Sequence, residues 1–210
     1  RQLLSALSPS NYLALNPAAR ERFLETDGRS LLDGFRNLLD DLERGDGRLD
    51  INMTDREAFE VGRDLATTPG QVIYQNELIQ LIHYEPMTKT QFKRPLLFVP
   101  PWINKYYIFD MKPENSLVRY MLEQGHSVFL ISWVNPTKQH AALSFEDYMR
   151  LGPLTALDAI TDATGEDEFD ILGCCIGGIL VTATLAYMAA KGDKRVKTAT
   201  TLATMVDFTD

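Results

Sequence analysis

Cys175 sits at the centre of Gly173-Cys174-Cys175-Ile176-Gly177, a G-x-C-x-G sequence with a short apolar run before it and a long helix-forming run after it. This is the pattern of a nucleophile elbow, a sharp strand-to-helix turn that lifts one side chain clear of a sheet, with cysteine where serine more often stands. Glycine is needed two residues to either side, because a Cβ there would meet neighbouring backbone. Cys175 is therefore the candidate nucleophile, and Cys174, at the x position, points elsewhere. A helix beginning just after Cys175 favours a thiolate and offers free amide donors to an oxyanion. A plainer reading stands beside this one. Cysteine is among the most buried residue types, and glycine-rich strand-to-helix turns also occur without chemistry.

A second group of candidates follows the apolar run 96–99, in the loop Pro100-Pro101-Trp102-Ile103-Asn104-Lys105-Tyr106-Tyr107. Elbow chemistry takes its second oxyanion donor from a loop after an earlier strand. Pro100 and Pro101 carry no N–H, which leaves the amide of Trp102 or of Ile103. The partner donor is the N–H of Ile176. The alternative is a rigid aromatic loop that only packs against the elbow. The three histidines, His83, His126 and His140, all precede Cys175, whereas this chemistry draws its acid and then its base from later in the chain. None of the three is expected to be the base. Asp207 and Asp210 follow the last apolar run and are alternatives for the acid. No metal-ligand spacing is present, so no metal is expected.

These residues need a scaffold. Asn16-Pro17 reads as an N-cap with proline in the first turn of a helix that ends near Gly28. A second helix carries Leu31, Leu32, Phe35, Leu38, Leu39 and Leu42 on one face, a stripe expected to pack as core, and ends at Gly45-Asp46-Gly47. A further short helix is expected over 57–65. From residue 71 the pattern changes. Strands are expected over 72–74, 78–84, 96–99, 128–131, 169–172 and 196–202, the first two as an antiparallel hairpin. Helices are expected over 115–124, 145–164 with a kink at Gly152-Pro153, and 178–190. Strands alternating with helices imply a parallel, doubly wound sheet with the hairpin at its edge. With the elbow, this predicts an α/β-hydrolase-like catalytic domain beginning at residue 71, preceded by a helical region over 1–70.

Composition narrows the function. A net charge of -8 over 210 residues argues against a nucleic-acid footprint, which needs a basic face. No apolar run reaches the length of a membrane span. The two cysteines are adjacent and give no disulfide framework, which fits a reducing, cytoplasmic setting. The run Glu166-Asp167-Glu168 reads as a solvated loop. The first residue is arginine, and the last apparent strand ends shortly before Asp210. Both suggest a fragment that stops after the elbow helix and the next strand, so this segment alone is expected not to turn over.

Three segments together carry a resemblance: AFEVGRDLATTPGQVIYQNELIQLIHYEP at 58–86, RPLLFVPPWINKYYIFDMKPENSLVRYMLEQGHSVFLISWVNP at 94–136, and LGCCIGG at 172–178. Over nearly its whole length the chain resembles the polyhydroxyalkanoate synthases, or poly-β-hydroxybutyrate polymerases, of the class I or II kind. The resemblance implies an acyltransferase that polymerises (R)-3-hydroxyacyl-coenzyme A into a polyester and releases coenzyme A. It puts the family's catalytic cysteine on Cys175, with aspartate and histidine downstream of residue 210. It implies no cofactor beyond the coenzyme A carried by the substrate. Its implied partners are the acyl thioester, the growing polyester, a second copy of the chain and granule-associated proteins, with a place at polyester granules. Lys105 and Arg119 are candidates for the coenzyme A phosphates, or merely solvated cations. Cys174 stands where the family more often has an aromatic, and Ile179 where it often has threonine. The chemistry agrees, because a thiolate exchanges acyl groups with a thioester at little net energy difference, and a covalent intermediate splits transfer into acylation and chain growth. A cysteine-based hydrolase or thioesterase on the same fold is the alternative enzyme, and a non-catalytic module the alternative from another class.

Overall fold

The computed structural model describes residues 5–207 and 209. The chain forms two compact units, Arg1–Ala58 and Phe59–Asp210.

In the first unit, the Asn16 side chain accepts from the N–H groups of Ala18 and Ala19 and starts helix α1 (Pro17–Glu25). Gly28, at φ +82°, turns the chain into helix α2 (Arg29–Arg44). The leucine stripe departs from expectation. Leu31, Leu32, Phe35, Leu38 and Leu39 remain 42–61% exposed rather than packing as core. Two helices of unequal length meet along one seam and cannot cover a stripe this wide. Leu31, Phe35 and Leu38 of the stripe instead line an open apolar hollow of about 930 Å³ with Leu13, Phe23 and Leu24.

The second unit holds a six-stranded sheet of β1 (Gly70–Gln75), β2 (Ile79–Tyr84), β3 (Leu96–Val99), β6 (Val128–Trp133), β7 (Phe169–Cys174) and β8 (Val196–Leu202). A separate two-stranded ribbon pairs β4 (Asp110–Lys112) with β5 (Asn115–Ser116). The spatial order is β1-β2-β6-β3-β7-β8. The β1–β2 hairpin is antiparallel and joins β6 antiparallel, while β6, β3, β7 and β8 run parallel. The chain therefore leaves β3 in one direction to make β6 and crosses back over β3 to make β7, which puts helices on both faces.

Strand β3 shows how the two faces are sorted. Leu97 and Val99 join one core with Phe129, Ile131, Ile171 and the helix residues Leu157, Ile160 and Leu180. Leu96 and Phe98, one residue out of phase, join the other with Leu130, Leu172, Val118 and Leu122. A strand covered on both sides has no polar face, which is why 96–99 reads as an unbroken apolar run. Helix α3 (Leu117–Glu123) covers the second face. Helices α4 (Phe145–Met149), α5 (Thr155–Thr164) and α6 (Ile176–Lys191) cover the first. A wider turn over Arg150–Leu154, containing Gly152 and Pro153, links α4 to α5 at the expected kink.

Two local expectations need correction. Residues 57–65 form turns and not a helix, because Asp64 accepts from the Glu60 N–H and the Arg63 guanidinium, and Gly62 takes φ +89°. Helix α3 begins at Leu117 and not at Asn115, because Ser116 caps the Arg119 N–H while Asn115 and Ser116 pair as strand. Among the described residues, no helix is long and apolar enough to cross a membrane.

Candidate active site

Cys175 joins the C-terminal end of β7 to the first turn of α6 with φ 53° and ψ -124°, a conformation side-chain-bearing residues seldom adopt. Its backbone is tied on both sides. The Cys175 N–H donates to the Leu202 carbonyl at the end of β8 at 2.9 Å. Its own carbonyl accepts from Gly178 and Ile179 at 2.9 and 3.1 Å and opens the helix. The side chain is exposed, whereas Cys174 is half-buried. Burial, and then the neighbouring Cys175, push the Cys174 thiol above its ordinary value. Ile176 is the first residue of α6, where helical geometry supplies no internal acceptor for its N–H.

The glycines of the motif are accounted for by close backbone approach. A Cβ on Gly173 would lie 2.6 Å from the Gly178 Cα. A Cβ on Gly177 would lie 2.4 Å from the Val99 carbonyl oxygen and 2.7 Å from that of Pro100. The start of α6 is thus pressed against the chain as it leaves β3. The loop carrying Trp102 and Ile103 begins at this contact.

The loop is held at both ends. At the near end, the Trp133 indole N–H donates to the Pro100 carbonyl at 2.8 Å in a buried bond. The Trp102 ring packs on Tyr148 at 4.9 Å and on Trp133 at 5.9 Å between centroids, while Ile103 is 76% exposed. Lys105 hydrogen-bonds to Asn135. At the far end lies Asp110, only 1% exposed. Its Oδ1 accepts from the hydroxyls of Thr68 and Ser116, both at 2.6 Å, and its backbone carbonyl accepts from the Ala66 N–H. Asp110 Oδ2 and the Tyr84 hydroxyl are buried with no partner among the described residues. Burial, then the Asp110 charge, push both Tyr84 and Tyr106 above the usual phenol value. Sequence reading missed this node, since Thr68 and Asp110 are 42 positions apart and no periodicity links them.

The histidines are engaged elsewhere. His83 stacks on Phe129 at 4.1 Å and sits level with Ile171 through the β2–β6–β3–β7 register. That places it roughly 13 Å down the strands from Cys175 and roughly 14 Å across the sheet. His126 follows α3 at the opposite end of the parallel strands, with its ring against Phe92. His140 lies beyond the C-terminal end of β6, but its Nδ1 accepts from the Thr137 N–H at 3.0 Å and its Nε2 faces the Glu77 carbonyl at 3.4 Å. Arg119 is paired with Glu123 at 2.9 Å. In the acidic run, Glu166 and Glu168 pair with Lys93 and Lys197. Asp207 accepts from the Thr209 N–H and hydroxyl in an exposed turn, and Asp210 lies outside the described residues.

Comparisons with known proteins place the chain in a family. Residues 1–121 match the family model described as poly-beta-hydroxybutyrate polymerase (PhaC) N-terminus. The poly(3-hydroxyalkanoate) polymerase of Methylorubrum extorquens is 53% identical across 100% of this chain and 34% of its own length. The poly(3-hydroxyalkanoate) polymerase subunit PhaC of Cupriavidus necator is 46% identical across 100% of this chain and 35% of its own. The chain thus spans about a third of the length of the curated relatives it matches. A solved alpha/beta hydrolase enzyme from a lagoon-sediment metagenome of Mar Chica, Morocco, overlaps 64% of this chain and 52% of its own at a TM-score of 0.45 and 12% identity. The doubly wound sheet, with its antiparallel edge and its strand-to-helix turn at Cys175, has the α/β-hydrolase fold, and the chain belongs to the poly-β-hydroxybutyrate polymerase family.

Proposed function

We propose that this chain carries the acyl-accepting nucleophile of a polyester synthase acting on (R)-3-hydroxyacyl-coenzyme A. The observation that supports the reading is the elbow: an exposed cysteine at positive φ, at the head of a 16-residue helix, in a family of polyhydroxyalkanoate polymerases. The Cys175 thiolate attacks the thioester carbonyl. The resulting oxyanion is received by the Ile176 N–H and by the amide of Trp102 or Ile103. The carbon–sulfur bond to coenzyme A breaks, and coenzyme A leaves as a thiolate that takes up a proton. The 3-hydroxyl of the next unit then gives up its proton and attacks the enzyme thioester. That step forms the ester and frees Cys175. Cysteine suits both steps, because it is a strong nucleophile toward thioesters and a good leaving group toward an alcohol.

The test uses the natural gene product that contains these 210 residues. Cys175→Ala should abolish coenzyme A release from 3-hydroxybutyryl-coenzyme A, measured with a thiol reagent. Turnover that survives in Cys175→Ala would overturn the reading. Free 3-hydroxybutyrate in place of polymer would assign the same site to a thioesterase.

A further inference from the structure

We infer that Trp133 is a positioning residue for acyl transfer, its indole N–H setting the orientation of the loop that carries the second oxyanion donor. The inference rests on the reading of Cys175 and of the Trp102–Ile103 amides given above.

The loop's own chemistry creates the need. Pro100 and Pro101 have no N–H, so this stretch cannot be tied down by its own backbone donors. The backbone of these two residues can hydrogen-bond only through its carbonyls. The Pro100 carbonyl meets two groups: the Trp133 indole N–H at 2.8 Å, and the space left by the missing Cβ of Gly177. One contact belongs to β6 and the other to the elbow helix. Proline fixes φ, so the plane of the Pro100 carbonyl is carried with little slack to Trp102, two residues on.

Trp133 is itself braced. It is 9% exposed at the C-terminal end of β6, beside β3. Its ring packs on Tyr148 at 5.5 Å between centroids. A Cβ on Gly152 would come within 2.6 Å of the ring, so the turn between α4 and α5 is shaped around the indole. An indole has one polar atom, a donor only, and here it is spent on one of the two carbonyls, Val99 and Pro100, that the elbow helix presses against. Core packing alone would be served by phenylalanine.

The experiment replaces Trp133 in the natural gene product in two ways. Trp133→Phe removes the donor and part of the ring. Site-specific incorporation of benzothienylalanine at position 133 keeps the ring's shape and removes only the N–H, which covers the case in which Trp133→Phe does not fold. Displacing a positioned group by a fraction of an ångström to one ångström costs on the order of 10- to 100-fold in turnover. Both replacements should therefore lower kcat by about 10-fold or more while leaving KM for 3-hydroxybutyryl-coenzyme A within about 2-fold. Alkylation of Cys175 by iodoacetamide should keep its wild-type rate, because attack on an sp³ carbon builds no oxyanion. Wild-type kcat in the benzothienylalanine protein would overturn the inference. So would a loss of kcat matched by an equal loss of alkylation rate, which would mark Trp133 as a packing residue only. Cys175→Ala separates the two levels. If it still turns over, the underlying reading fails. If it is dead while the Trp133 replacements run at full speed, only the positioning role fails.

Discussion

Gly177 and Val99 approach so closely that a Cβ on the glycine would lie 2.4 Å from the Val99 carbonyl oxygen. This contact joins the first turn of α6 to the end of β3, and so joins the elbow to the loop that faces it. Backbone is on both sides of the contact, so no side chain can move aside to make room. Gly177→Ala should destabilise the fold by about 1–3 kcal/mol through overpacking and widen the gap between elbow and loop. A lower thermal midpoint together with slower coenzyme A release is the expected result. An unchanged midpoint would show that the contact is looser than the geometry implies.

The adjacent cysteines should differ sharply in reactivity. Cys175 is exposed at the head of a helix, whereas burial holds the Cys174 thiol above its ordinary value. Limiting iodoacetamide near pH 7.5, followed by peptide mass spectrometry, should label Cys175 first, by about 10-fold or more. Cys174→Ala should keep substantial turnover, while Cys175→Ala should keep none. Preferential labelling at Cys174 would mean that the register of the elbow is wrong.

Tyr84 predicts an alkaline limit to stability. Its hydroxyl is buried and unpartnered among the described residues, and its folded pKa lies above the unfolded value of about 10. The neutral form is the one the fold accepts. Its contribution is complete below pH 10 and is lost as pH rises from there toward the folded value. Tyr84→Phe should lose less stability than wild type between pH 10 and 12, followed by urea denaturation. It should also be about 1 kcal/mol more stable at neutral pH, because it removes a buried donor that has no acceptor. Lower stability at pH 7 would point to a bonded hydroxyl.

His83 predicts an acid limit. Burial against Phe129 lowers its pKa below the ordinary value of 6.5. The folded state therefore favours the neutral ring. Its contribution is present above pH 6.5 and is lost as pH falls through the lowered folded value. His83→Gln should flatten the stability profile between pH 7 and 5 relative to wild type. Equal slopes in the two proteins would show that the stacked ring titrates normally.

The elements nearest the candidate site are legible because their signals are local. The run Leu96–Val99 is apolar at every position and bounded by prolines, so a buried strand was the available reading, and the structure has it at those limits. G-x-C-x-G between an apolar run and a helical run marks a strand-to-helix turn wherever it occurs, and the structure places Cys175 at positive φ in that turn. The strand 196–202 and the kink at Gly152-Pro153 likewise follow from neighbouring residues alone. What remained hidden depends on which strand lies beside which. Helical spacing of leucines cannot say whether anything covers them, and in this structure Leu31, Leu32 and Phe35 stay exposed. Nothing in the sequence between Thr68 and Asp110, 42 positions apart, announces that a hydroxyl will reach that carboxylate. The bond from Trp133 to Pro100, 33 positions apart, exists only because β6 lies against β3 and its last side chain crosses over the neighbouring strand's end. Periodicity in a chain reports which face a residue turns inward. The partner it meets there is decided by strand order, which is a property of the folded sheet.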